Sequence, residues 1–176
     1  MKRAGLVLVV IVLFGSACAV EDTLPAPYCE GAGSALIEAQ SVPTAEIIPC
    51  ITELPAGWEV ESVDINQERT IVTLDSDRAG DNAAVFHYER SCDIGDAVSV
   101  PSDDDRIERF EDLERIEPGY RARSYSRFAG GCWWWRFNFV PGASATIAVQ
   151  VSGSIDWLSR DDLNATIAET FVDEDL

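Results

Sequence analysis

The chain has 176 residues, and 31 acidic against 13 basic side chains leave a formal net charge of −18. That length suits one domain with one modest core. The charge opposes non-specific association with nucleic acid or anionic lipid, so no nucleic-acid partner is expected.

The chain starts MKRAGLVLVVIVLFGSAC. Lys2 and Arg3 form a positive region, Gly5 to Phe14 an apolar one, and small residues lead to Cys18. This is the layout of a bacterial secretory signal. Its end looks like a lipobox, in which Cys18 is acylated and becomes the mature N-terminus, although Gly15 stands where an aliphatic residue is usual. Ala17-Cys18-Ala19 also fits ordinary A-x-A cleavage. Alternatively, Ala4 to Val20 is an uncleaved anchor, at the lower edge of the roughly 17–25 residues a spanning helix needs. Without Lys2 and Arg3 the basic residues fall to 11, all arginine, against the same 31 acids, a net of −20.

There are five cysteines: Cys18, Cys29, Cys50, Cys92 and Cys132. A lipid on Cys18 leaves an even set, enough for two disulfides in an oxidising compartment. Three connectivities exist for four cysteines. The favoured one is Cys29–Cys50, a local staple, with Cys92–Cys132 joining two strand ends. The chain then divides into a signal at 1–18, a tether at 19–33 and one globular domain at 34–176. The tether, with two prolines and two glycines, becomes ordered at Cys29.

Ser34 to Gln40 reads as a short helix capped by Ser34, and Thr44 to Leu54 as a further helical turn interrupted by Pro49. Leu54-Pro55-Ala56-Gly57 has type I turn composition. Trp58–Asn66 and Arg69–Asp75 read as a hairpin whose imperfect alternation implies a bulge or mixed burial. Ala83 to Cys92 is a third strand. Asp93 to Asp105 is a polar connection. In Arg106 to Ile116, apolar residues recur at helical spacing, yet the position before Pro118-Gly119 favours an extended strand.

Tyr120 to Val140, YRARSYSRFAGGCWWWRFNFV, reads as a hairpin. Strand side chains alternate between faces. In the second arm Trp133, Trp135, Phe137 and Phe139 share one parity, and Cys132, Trp134, Arg136 and Asn138 the other. In the first arm Ala122, Ser124, Ser126 and Phe128 alternate with Arg121, Arg123, Tyr125 and Arg127. Bulky side chains lie beside small ones only if the loop has an even number of residues. A two-residue Gly130-Gly131 turn meets that condition, since glycine accepts positive φ. In that register Trp134 lies opposite Arg127, and Arg136 opposite Tyr125. Cation–π contacts of about 0.5–1 kcal/mol each are then available. Trp134, Arg127, Arg136 and Tyr125 form the candidate surface. The competing reading is a plain sheet dressed outside with arginines and rings.

Beyond Pro141-Gly142, Ala143 to Trp157 favours an extended form, and Asp161 to Phe171 a C-terminal helix opened by a capping-box-like Ser159. Catalytic signals are few. His87 is the single histidine, placed in mid-strand, and no G-x-S-x-G or C-x-x-C occurs. One histidine does not suit a zinc site. Asp75, Asp77, Asp81 and Asn82 begin like an EF-hand loop, but Ala79 and Phe86 stand where ligands belong. A looser calcium site here or at Asp103–Asp105 is the alternative to solvated acidic turns, which are favoured, so no cofactor or metal is expected.

The set Pro49-Cys50, LPAGW at Leu54–Trp58, DSDRAG at Asp75–Gly80, Cys92, VPSD at Val100–Asp103 and RFAGGC at Arg127–Cys132 followed by Phe137 resembles a group of uncharacterised actinobacterial secreted or membrane-anchored proteins. The resemblance runs from about Ile48 to Arg160. It implies an envelope location and the Cys92–Cys132 pairing, and brings no catalytic residues. The expected fold is α+β: an antiparallel sheet of four to six strands with short flanking helices. The leading expectation for function is a lipid-anchored, extracytoplasmic binding domain with an envelope protein or ligand as partner. The rivals are an extracellular hydrolase using carboxylates or His87, and a sensory ectodomain on an uncleaved anchor.

Overall fold

The structure is a computed structural model that describes residues 26–29, 38–116, 119–139 and 151–165. Cys18, the signal-like segment and the far half of the expected C-terminal helix lie outside the described residues. The strands are β1 (Ile47–Ile51), β2 (Trp58–Ile65), β3 (Arg69–Ser76), β4 (Gly80–Glu89), β5 (Val98–Val100), β6 (Glu108–Arg115), β7 (Tyr120–Phe128), β8 (Gly131–Phe139) and β9 (Ile155–Ser159). They build an antiparallel seven-stranded sheet, in the order β2-β3-β4-β8-β7-β6-β5, and a two-stranded sheet of β1 and β9.

This overturns the α+β expectation: the protein is mostly β. Helix among the described residues is confined to turns at 38–41, 151–152 and 160–165. The run expected to continue a helix after Thr44 is β1 instead. Its isoleucines Ile47, Ile48 and Ile51 are buried, and β9 supplies its ladder from more than a hundred residues away. Pro49 has no N–H to give, which an edge strand tolerates. On the other side of β1, among the described residues, Tyr28 bridges to it at Ile51. The connection Asp93–Asp105 also contains a strand, β5. The ambiguous segment after Arg106 is extended, as β6. The first hairpin, expected to hold a bulge or mixed burial, has a register shift between Val60 and Ser62.

The core lies between one face of the large sheet and a second layer made by β1–β9 and the segment before β1. Val42, Ile47 and Ile51 share one buried cluster with Val72, Phe86 and Trp135. Tyr88 reaches across from β4 and donates its hydroxyl to the Ile47 carbonyl at 3.2 Å. Arg160, just after β9, donates to the carbonyls of Ala39, Val42 and Ala45. It thereby ties the turn at 38–41 and the chain leading into β1 to the end of β9.

Disulfides join Cys29 to Cys50 and Cys92 to Cys132. The first fixes the incoming chain beside β1. The second joins the segment after β4 to the start of β8, its partner strand. Each contributes about 2–4 kcal/mol by restricting the unfolded chain.

The β7–β8 hairpin keeps its two-residue loop, but the loop is Ala129-Gly130, because Phe128 pairs with Gly131. Parity is conserved and the pairs shift. Ser126 faces Trp133, Ser124 faces Trp135 and Ala122 faces Phe137, so bulky beside small holds on the core face. Gly130 has a φ of 75°, and a Cβ there would overlap the Thr44 carbonyl oxygen. Thr44 donates its hydroxyl to the Gly130 carbonyl at 2.7 Å, and the Glu46 amide donates to that of Ala129 at 3.1 Å. The hairpin tip is thus clamped to the second layer.

Glu38 is fully buried, and neither carboxyl oxygen has a hydrogen-bond partner among the described residues. Desolvation raises its pKa well above the ordinary value of 4.5. The same burial, then the nearby Glu38, pushes Tyr88 upward against an opposing Arg160.

Three stability outcomes follow from this packing. Gly130→Ala should lose at least about 1–3 kcal/mol in chemical denaturation, since it meets both strain and a clash. Trp133 and Trp135 are 7% and 3% exposed. Truncating either to alanine should cost about 3–5 kcal/mol, and the half-buried Trp134 much less. At Glu38 the folded chain holds a proton that the unfolded chain releases above pH 4.5. Stability is therefore lost as pH rises from 4.5 towards the raised folded value. Glu38→Gln should raise the melting temperature at pH 7 and change it little at pH 4.

Candidate functional site

The face of the large sheet opposite the core is a grid set by strand register. One row runs His87 on β4, Trp134 on β8, Tyr125 on β7 and Phe110 on β6. The next row runs Val85, Arg136, Arg123 and Asp112 on the same strands. Read along the strands, β7 presents Arg121, Arg123 and Arg127, and β6 presents Glu108, Asp112 and Glu114.

The first row is a ladder of rings. Trp134 and His87 stack with centroids 3.9 Å apart and planes 5° apart. Tyr125 follows at 5.8 Å and 27°. Both faces of the indole are therefore occupied by protein, and its edge is what remains for a ligand. His87 is 13% exposed on its side chain, with Nδ1 3.3 Å from Glu89 Oε1. Neither ring nitrogen has an aligned hydrogen-bond partner among the described residues. We therefore read that contact as electrostatic, favourable when Nδ1 carries a proton. Trp134 donates its indole N–H to Glu89 at 3.3 Å. The His87 ring holds the Glu89 carboxyl below its ordinary value, against the effect of burial, and Trp134 adds to the lowering.

The charged columns of β6 and β7 pair in register. Arg127 meets Glu108 at 2.6 Å, Arg123 meets Asp112 at 2.9 Å and Arg121 meets Glu114 at 3.5 Å. Arg123 also reaches Glu114 diagonally at 2.9 Å. A recess of about 370 Å³ opens over this area. Its lining holds three arginines, Arg121, Arg123 and Arg136. Glu89 and Asp93 add two carboxylates, and Trp134 and Tyr125 add rings.

The structure therefore brings together three of the four expected surface residues. Trp134 faces Tyr125 instead of Arg127, and Arg136 faces Arg123 instead of Tyr125. Arg127 stands opposite Cys132 and turns away to Glu108, with its guanidinium 5.1 Å from the centre of the Phe110 ring. Tyr125 is only 5% exposed and serves as wall more than as surface. Sequence reasoning missed Glu89, Arg121, Arg123 and the place of His87 in the ladder. The parity of Ala83–Cys92 carried the signal for His87, once paired with the tryptophan strand.

On the opposite face, a recess of about 460 Å³ is lined by Trp157, Ser126 and Asp104 among others. Arg106 grips Asp104 through two side-chain contacts of 3.0 and 2.7 Å and covers the Trp157 ring at 4.4 Å. That grip holds the Asp104 carboxyl down at about 2. The EF-hand-like residues lie at the end of β3, in the turn at Asp77 and at the start of β4, where Asp75 accepts the Asn82 amide at 2.7 Å. Among the described residues no group of three or more His, Cys, Asp or Glu is placed to hold a metal.

No family model matches the chain, and no curated protein matches it. A solved structure from Bacteroides thetaiotaomicron VPI-5482 is similar at a TM-score of 0.36 and 10% identity. The match covers 66% of this chain and 46% of that one. Likeness at that level carries no argument about activity.

Glu89 supplies a pH test. Its folded pKa is lowered, so its contribution is present above the ordinary glutamate value and is lost as pH falls through the depressed one. Glu89→Gln should lower the melting temperature at pH 7. The difference from wild type should shrink as the pH is taken below 4.

Proposed function

We propose that this chain is a lipid-tethered extracytoplasmic binding domain without catalysis of its own. Its binding surface is the outer face of the large sheet around Trp134 and Arg136. One observation carries the reading: a face turned away from the core joins a ladder of rings to a cluster of arginines, on a protein of net charge −18. Two disulfides fit an extracytoplasmic or secreted protein. Among the described residues no helix is long and apolar enough to cross a membrane. The signal-like N-terminus ending at Cys18 supports the tether.

The hydrolase alternative has less support. His87 is stacked on an indole beside a carboxylate, and neither of its nitrogens is hydrogen-bonded to a hydroxyl among the described residues. A nucleophile–base pair needs such a bond.

The test is affinity capture from isolated envelope with the disulfide-intact domain, wild type against Trp134→Ala. A component retained by wild type and lost by a folded Trp134→Ala variant is the expected result. Turnover in an esterase, phosphatase and glycosidase panel that disappears with His87→Ala would overturn the reading. Mass spectrometry of the native N-terminus addresses the tether: diacylglyceryl-Cys18 is expected, and an intact Met1 would replace the lipid with a protein anchor.

A further inference from the structure

We propose that Arg136 is the binding residue of an anion site in the outer recess, and that its ligand is a small molecule bearing one carboxylate. The proposal rests on the reading of this face as the binding surface and names what that surface takes.

The argument begins with register. Arg136 sits on β8, and its in-register neighbours are Val85 and Arg123. Neither offers a carboxylate. Arg123 is already engaged by Asp112 and Glu114, each at 2.9 Å. Arg121 is engaged by Glu114 at 3.5 Å and by Asn138 at 3.4 Å. The acids of β6 are thus used on β7, one strand short of Arg136. Among the described residues Arg136 has no ion pair, and its Nε is buried without a hydrogen-bond partner. In a chain with 31 acids for 13 bases, abundance cannot explain an arginine without a carboxylate.

Such an arrangement is costly. A buried N–H without a partner loses its hydration and gains nothing in return. Burial, with Arg121 and Arg123 beside it, disfavours the charged form of Arg136. An incoming anion removes all of these penalties at once.

The lining also selects among anions. The planar fork of a guanidinium matches a carboxylate in a paired geometry. Arg121 and Arg123 already have their counter-charges, so Arg136 is the guanidinium of the recess with none among the described residues. Glu89 and Asp93 share the recess and repel a second negative charge. The volume of about 370 Å³ is at the small-molecule end of binding pockets. The edges of Trp134 and Tyr125 give an apolar wall for the rest of the ligand.

The experiment follows the Arg136 Nε–H and Trp134 indole N–H resonances of the disulfide-intact protein. Sodium acetate, sodium benzoate and sodium sulfate are titrated at ionic strength held constant with chloride. The expected result is a saturable shift of both resonances with the carboxylates, with benzoate tighter than acetate and sulfate at least tenfold weaker. Arg136→Gln should weaken benzoate at least tenfold, read at the Trp134 indole, and should melt at or above the wild-type temperature. Shifts that stay linear to high concentration, sulfate as tight as benzoate, or undiminished binding in Arg136→Gln would each overturn the proposal. So would a large drop in the melting temperature of Arg136→Gln, which would make the arginine structural. If the carboxylates fail while Trp134→Ala still abolishes envelope capture, the anion site falls and the binding face stands.

Discussion

The alternation of side chains along β8 is the constraint on which the rest of the structure depends. β8 is the middle strand of the seven, with β4 on one side and β7 on the other. Its odd residues Trp133, Trp135 and Phe137 fill the space between the layers. Its even residues Trp134 and Arg136 therefore stand on the outer face. A one-residue slip would bury Arg136 and Trp134 and expose Trp133 and Trp135. The outer face is thus held in place by the packing of the core behind it. Side chains on central strands are also held more rigidly than side chains on loops.

The second layer secures that strand from the other side. The tip of the β7–β8 hairpin sits against the backbone of Thr44 to Glu46, close enough that only glycine fits at position 130. Arg160 gathers three carbonyls from the segment before β1. The Cys92–Cys132 bridge spans 40 residues and holds the start of β8 to the chain leaving β4. Together these contacts let a short two-stranded sheet, marginal by itself, cover the larger one.

Electrostatics on the outer face follow from topology more than from composition. Exposed cross-strand ion pairs are worth about 0–1 kcal/mol each, so the β6–β7 columns contribute little to stability. Their consequence is local: they neutralise β7 and leave β8 out. The same acids distributed differently along the chain would have quenched Arg136. Charge repulsion across a strongly acidic surface directs an anion to the one arginine of the recess that has no carboxylate among the described residues.

Much of this was legible in the residues because it is local. Alternation in YRARSYSRFAGGCWWWRFNFV divided the triple tryptophan between two faces and required an even loop. The imperfect alternation of the Trp58–Asn66 and Arg69–Asp75 hairpin pointed to a bulge or mixed burial. The turn itself was ambiguous: Ala129-Gly130 and Gly130-Gly131 both satisfy the local rules, and the approach of Thr44 to Gly130, 86 residues apart, decides between them. The strand at Ile47–Ile51 was hidden for a related reason. Five residues containing a proline carry no period of their own, and the partner that makes them extended is β9. That Arg136 has no counter-ion among the described residues is likewise a property of which strand lies beside which. The sequence by itself determined which side chains share a face, because that depends only on the two-residue repeat of a strand. Only the tertiary structure decided which faces meet and which charges find partners, because pairing between strands depends on contacts far apart in the chain.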